Sequence, residues 1–263
     1  MNKLIKRIRA VDWDRFGRWF SARGIYLFAF ALFAFWFAVS VRRHRTMGSG
    51  AFDLGIFTNS IWNLVNGNGY FTGLKGPHTL FTDHQSPIFW AVAPLFWLRQ
   101  EATTLLFVQS FALAWCVIPV YRLAQHLLGN RHPFTFIAVL LFANNLAVRA
   151  ANHFDFHPEI LMLPFFLAFI EGWERSRFED GKRRSIPTPL KWRTWLCLVL
   201  AMLGKESAAV VGATLAAVEG LEALLSWRRA KTSTERQLAW TWMSRSLLLG
   251  TVSVAWGALA VVI

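Results

Sequence analysis

The stretch GIYLFAFALFAFWFAVSV at 24–41 carries no charge, and it limits what this chain can fold into more than any other feature. A bilayer span needs about 20 mostly apolar residues, with about 17 as a lower bound. A helix that is apolar all round is buried in a large core or faces lipid. Three further runs are equally free of charge, at 102–121, 133–148 and 246–263. The segment 158–173 holds acidic residues only near its ends, Glu159 and Glu171. The segment 188–204 qualifies when Lys191 and Arg193 snorkel toward an interface. The segment 207–227, SAAVVGATLAAVEGLEALLSW, is rich in small residues that let helices approach closely. These runs predict an all-α, multi-pass transmembrane helical bundle of seven spans. Ala38-Val39-Ser40 faintly resembles a signal-peptide cleavage site, but the long basic lead and long apolar core favour an uncleaved anchor.

One apolar run is too short to span. PIFWAVAPLFWL at 87–98 has twelve residues and an internal Pro94, which predicts a helix lying in or dipping into the interface. This assignment sets the side of every later loop. With the N-terminus in the cytoplasm and 87–98 not spanning, 21 Lys and Arg fall inside and seven outside. If 87–98 spans, the split becomes ten inside and eighteen outside. Lys and Arg collect in cytoplasmic loops, so the first arrangement is expected. It makes 1–23 a basic cytoplasmic segment and 24–263 the membrane module, with a long outer loop at 42–101. Its exception is RRHR at 42–45, where Arg42, Arg43 and Arg45 would meet anionic head groups or a ligand phosphate.

The same asymmetry accounts for a net charge of +13 in a chain that is 55% hydrophobic and only 16% charged. A nucleic-acid binder would instead carry a polar, lysine-rich surface stripe, so nucleic acid is not an expected partner. Cys116 and Cys197 lie inside apolar runs, which argues against a disulfide framework.

Four polar clusters fall on the outer side of this topology: FDLG at 52–55, TDHQSP at 82–87, NHFDFHPE at 152–159 and GKES at 204–207. Leu54, Phe57, Ile61, Leu64 and Val65 form the stripe of an amphipathic interfacial helix, with Asp53 placed as its N-cap and NGNG as its end. Asp83 and His84 precede Ser86-Pro87, a helix-start signal, and read either as a solvated loop or as part of a site. In an extended NHFDFHPE, positions 153, 155 and 157 would share one face. His153, Asp155 and His157, with His84 nearby, would then suit a divalent metal ion, although the spacing matches no standard zinc motif. The bland alternative is a loop whose Phe154 and Phe156 dip into the interface. Lys205 and Glu206 sit between two apolar segments, where ionisable residues are costly. They read either as a functional pair or as an internal ion pair at a helix corner.

In order, FDLGIFTNSIWNLVNG, DHQSPIFWAVAPLFWL, FDFHPE and GKES resemble the bacterial family of predicted membrane proteins catalogued as domain of unknown function 2079. That family in turn looks like a relative of the GT-C glycosyltransferase superfamily. The resemblance runs from about residue 25 to the C-terminus. It implies a GT-C-like fold in the bacterial cytoplasmic (inner) membrane, and a polyprenyl-phosphate-linked sugar as donor at the non-cytoplasmic face.

Asp53 occupies the place of the superfamily's catalytic acidic residue, though a single carboxylate stands where an acidic pair is common. Lys205, His84 and one of Arg42, Arg43 or Arg45 would hold the donor phosphate. Asp155, His157 and Glu159 would orient the acceptor or bind a divalent ion, and Asp83 and Glu206 complete the expected substrate-binding set. Relatives are longer, so a C-terminally incomplete module is also expected. Two other functions are compatible with the sequence: a polytopic transporter, and a membrane metalloprotein or inactive fragment.

Overall fold

The computed structural model describes residues 23–74, 76, 79, 85–128, 132–179, 182–184 and 187–262. The basic segment expected at 1–23 therefore lies outside the described residues, apart from Arg23.

Helix α1, Ile25–Arg45, runs past the apolar run and through RRHR, so the loop expected to begin at Arg42 begins at Thr46. Charge ends a hydropathic run, but it does not interrupt backbone hydrogen bonding. Helix α2, Ala51–Val65, follows and stops at Asn66, with Gly67 and Gly69 at φ +76° and +80°. These are left-handed conformations that glycine adopts without a Cβ penalty. The 87–98 run is a 3₁₀ turn, Pro87–Val92, leading into α3, Ala93–Leu98. Helices α4, Ala102–Trp115, and α5, Val117–Leu128, are separated only by Cys116. Next come α6, His132–Asn144, and α7, Leu146–His153, bent by 43° at Asn145. The Asn145 side chain caps α7 by accepting from the N–H groups of Ala147 and Val148.

A 3₁₀ turn, Pro158–Met162, opens α8, Leu163–Arg177. A two-stranded hairpin, β1 Phe178–Glu179 and β2 Lys182–Arg183, follows it and is a small β addition to the expected all-α chain. Helices α9, Trp192–Met202, α10, Ala208–Arg229, and α11, Ser233–Val262, complete the fold. Cys116 and Cys197 are free thiols.

Among the described residues, four helical segments are long and apolar enough to cross a membrane: Ile25–Arg45, Ala102–Leu128, Ala208–Arg229 and Ser233–Ala260, with the bent α6–α7 pair as a fifth. Helix α8 has fifteen residues beyond its 3₁₀ turn. Helix α9 has eleven, about 16 Å at about 1.5 Å per residue, against a hydrocarbon core of about 30 Å.

Large apolar side chains are exposed along these helices, including Phe30 at 63%, Phe35 at 64%, Leu141 at 68% and Leu247 at 65%. Such a surface is costly in water and ordinary against lipid chains. Helices α10 and α11 pack tightly through small residues. A Cβ added at Gly212 would collide with Ser253, and one added at Gly257 would crowd Ala209 at 3.2 Å, which bears out the close packing expected of the small-residue segment.

The largest buried cluster lies where α1, α2, the Pro87–Leu98 segment, α4 and the 156–161 turn meet. It includes Trp36, Phe57, Phe89, Leu105, Phe156 and Ile160. A second cluster joins α1, α5 and α6. A third joins α8 to α11 around Phe169, Trp173 and Leu249.

Candidate functional site

Three of the four polar clusters converge at one end of the bundle, and the fourth joins them through its last described residues. The convergence starts from Asp155, which is 3% exposed although it is a carboxylate. A buried charge needs partners, and Asp155 has them. It accepts from the Gly50 backbone N–H at 2.7 Å and pairs with the Arg43 guanidinium at 3.2 Å. Gly50, and not Asp53, is the N-cap residue of α2. A side chain at Gly50 would strike the Asp155 carboxylate, so the position requires glycine. The carboxylate that satisfies this helix start thus comes from a distant turn, and the favourable charge at a helix N-terminus is supplied across the fold.

Asp53 consequently sits in the first turn of α2, which corrects its expected N-cap position. It is half-buried and makes no hydrogen bond or ion pair among the described residues. The buried face of α2 is the one expected, with Leu54, Phe57 and Ile61 all under 7% exposed. It meets protein. The Phe57 ring lies 5.6 Å from Phe156 and 5.8 Å from Phe89.

The NHFDFHPE turn is not extended throughout. Helix α7 continues to His153, which is exposed, so positions 153, 155 and 157 do not share a face. Phe156 is fully buried in the protein rather than dipping into an interface. His157 is half-buried, with Nδ1 3.0 Å from the Asp155 carbonyl. Among the described residues no three His, Cys, Asp or Glu side chains gather as metal ligands, and the expected ligand His84 lies outside them. Asp83 lies outside them as well.

Sequence reasoning missed the side chains that hold this turn. Gln109 of α4, fully buried, donates to the carbonyls of Ala151 and Phe154 and accepts from the His157 N–H at 3.2 Å. Ser110 donates to the Asn152 side-chain oxygen at 2.9 Å. The Asn152 amide donates to the Trp36 carbonyl and to Ser40 Oγ, and Ser40 reaches the Asn152 carbonyl at 3.0 Å. Gln109 stands seven residues into α4, about 10 Å along its axis. The turn is therefore recessed below the helix ends. Irregular backbone at such depth is tolerated only where protein satisfies it, and Gln109 and Ser40 do so, while Ser110 and α1 hold the Asn152 side chain. The available signal was a Gln and a Ser, side by side, in an otherwise apolar span.

Lys205 does not pair with Glu206. It bonds Glu159 at 3.1 Å, while Glu206 accepts from the Gln85 backbone N–H at 3.1 Å. The Ile88 N–H donates to the Leu203 carbonyl at 2.9 Å. Any Cβ at Gly204 would overlap Met162, so glycine lets the GKES corner close on the Pro158 turn. The last residues of TDHQSP thus dock on GKES, and GKES on NHFDFHPE.

On the other face of α1, Arg42 and Arg45 line a cleft of about 520 Å³ with Arg99, Thr46 and Thr103, floored by Phe37, Ala38 and Val41. Glu101 beside it pairs with Arg99 at 2.7 Å. The hydrogen bond from Arg99, followed by one from Thr103, holds the Glu101 carboxyl below its ordinary range.

A polytopic bundle with lipid-facing helices and a polar cluster gathered at one end defines the class: an α-helical integral membrane protein. The family model described as "Predicted membrane protein (DUF2079)" matches residues 43–263, and the chain belongs to that family. No curated protein and no solved structure matches it.

Proposed function

We propose that the protein is a glycosyltransferase-like membrane enzyme that transfers a sugar from a polyprenyl-phosphate donor at the non-cytoplasmic face. In this reading 24–263 is a GT-C-like module of seven spans in the bacterial inner membrane, with a cytoplasmic N-terminus. Two of its spans are the shorter α8 and α9. The observation that carries the proposal is the difference among the carboxylates at the converged end. Asp155, Glu159 and Glu206 are each engaged by a cation or a backbone N–H. Asp53 is left without a partner among the described residues.

An unengaged carboxylate fixed on a helix can accept a proton. Asp53 would take the proton of the acceptor hydroxyl as its oxygen bonds to the sugar C1. The C1–O bond to phosphate breaks on the opposite side, and polyprenyl phosphate leaves with the electron pair. Arg43 and Lys205 are ion-paired, so the leaving phosphate falls to Arg42 and Arg45. Their cleft joins cationic side chains to an apolar floor, as a phosphate on a hydrocarbon chain requires. Asp155 and Glu159 then act by holding the turn and the corner, with His157 beside the acceptor.

The test supplies reconstituted membranes with a labelled polyprenyl-phosphate sugar. Wild type is expected to transfer the label, and Asp53→Asn to lose about 10²–10⁴-fold in rate. Undiminished transfer by the variant removes Asp53 as the base, and no transfer by wild type removes the function. A carrier is a second reading, favoured by the break in α6–α7 beside a recessed turn. It requires activity that follows an ion gradient, which group transfer does not.

A further inference from the structure

The far end of α8 carries a second concentration of charge that the proposed reaction does not use. A cleft of about 320 Å³ opens there, lined by His126 of α5, Arg175 and Ser176 of α8, Arg184 beyond β2, Thr188 and Lys191. Its volume lies at the lower end of the range for small-ligand sites. Its walls are fixed. Arg245 of α11 donates to Ser176 Oγ at 2.8 Å and to the Thr188 carbonyl at 2.7 Å, tying the α8 wall to the 187–191 segment. Thr194 closes against Gly172, where a Cβ would overlap its hydroxyl.

The carboxylates packed around the cleft cover two of its cations. Glu171 pairs with Arg175 at 2.8 Å, and Glu179 with Arg184 at 3.1 Å. Lys191 has no ion pair among the described residues, and His126 Nε2 is buried without a hydrogen-bond partner among them. A buried polar nitrogen left unsatisfied is costly. A ligand that accepts from it would remove that deficit, and Lys191, exposed and without an ion pair among the described residues, would add a charge-assisted donor. The four basic side chains His126, Arg175, Arg184 and Lys191 line one cleft and offer donors to an anion with several oxygens.

We propose that this cleft binds a phosphate ester, either a soluble phosphate or the head group of an anionic phospholipid. In the topology proposed above this end faces the cytoplasm, but the assignment of the site rests on the cleft alone. The chemistry is shared by both sources, and the experiment separates them.

The protein is reconstituted in nanodiscs of phosphatidylcholine, with and without phosphatidylglycerol, and the phosphatidylcholine discs are titrated with inorganic phosphate and glycerol phosphate. Thermal unfolding reads binding, because a ligand of the native state raises the unfolding temperature. A rise with soluble phosphates assigns the site to a free ligand. A rise only with phosphatidylglycerol assigns it to lipid. Lys191→Gln is expected to weaken the response about tenfold in apparent affinity, the loss of one charge-assisted hydrogen bond. Lys182→Gln removes the same charge from β2 outside the cleft and is expected to leave affinity within about twofold. His126→Gln, which restores a neutral donor, is expected to fall between them. The proposal is overturned if wild type responds to neither source, or if Lys182→Gln weakens the response as much as Lys191→Gln.

Discussion

The pairing of Arg43 with Asp155 makes an asymmetric prediction. Asp155 is 3% exposed and its partner 19%. Removing the arginine leaves a carboxylate buried with only the Gly50 N–H, whereas removing the carboxylate leaves a guanidinium whose long stem can carry it outward. Arg43→Gln is therefore expected to cost about 3–5 kcal/mol, the range for breaking a buried pair from the side that strands a charge. Asp155→Asn keeps an acceptor for Gly50 and is expected to cost about 1.5–3 kcal/mol, one hydrogen bond to a charged group. The double variant strands neither charge, so its cost should fall short of the sum by about 1–3 kcal/mol.

The assay is reversible unfolding of the purified protein in mixed micelles, followed by tryptophan fluorescence as the denaturing detergent fraction rises. Trp36, whose carbonyl accepts from Asn152, is well placed to report it. Two results refute the reasoning. Additivity within about 0.5 kcal/mol means that the two groups do not couple. A larger loss for Asp155→Asn than for Arg43→Gln means that the guanidinium, and not the carboxylate, is the trapped charge.

Gln109→Leu removes two donated hydrogen bonds and one accepted bond to backbone groups of the turn. It is expected to cost about 2–4 kcal/mol and to speed hydrogen exchange at 151–157 while α10 and α11 keep their protection. Unchanged exchange at 151–157 would show that the turn is held by something else. For the topology, Phe154→Cys should label from the non-cytoplasmic side and Lys182→Cys from the cytoplasm. Both side chains are exposed, and labelling of position 154 from the cytoplasm would overturn the orientation.

The apolar runs marked α1, the α4–α5 span and α10 because a membrane helix must be apolar over its whole length. Their boundaries were less legible. Arg42, Arg43 and Arg45 ended the first run, yet they remain helical in α1. Helix α11 begins at Ser233, thirteen residues before its charge-free part. Hydropathy measures where a helix is greasy and not where its hydrogen bonds stop.

Partnering was the least legible property. Lys205 and Glu206 are adjacent in sequence, and the structure pairs neither with the other. Glu219 lies within the small-residue helix and is fully buried, held by the indole N–H groups of Trp173 and Trp242 and by Arg245. A carboxylate in the middle of a span announces that it must have partners, but which side chains meet it depends on how α8, α10 and α11 cross.

The recessed turn changes what the polar residues at 152–159 can do. An exposed loop could offer all its carboxylates and imidazoles to a ligand. Recessed about 10 Å along α4, the turn spends its polar atoms on the fold: Asp155 on the start of α2 and on Arg43, Glu159 on Lys205, and the Asn152 amide on α1. These contacts fix the position and direction of α2, and α2 carries Asp53. Asp155→Asn should therefore lower transfer only by displacing Asp53, and stabilising α2 by other means should restore part of it. In the proposed reaction Asp53→Asn removes the proton acceptor itself, so no gain in stability would restore activity. A rescue that succeeds for one variant and fails for the other separates a group that holds the site from a group that performs its chemistry.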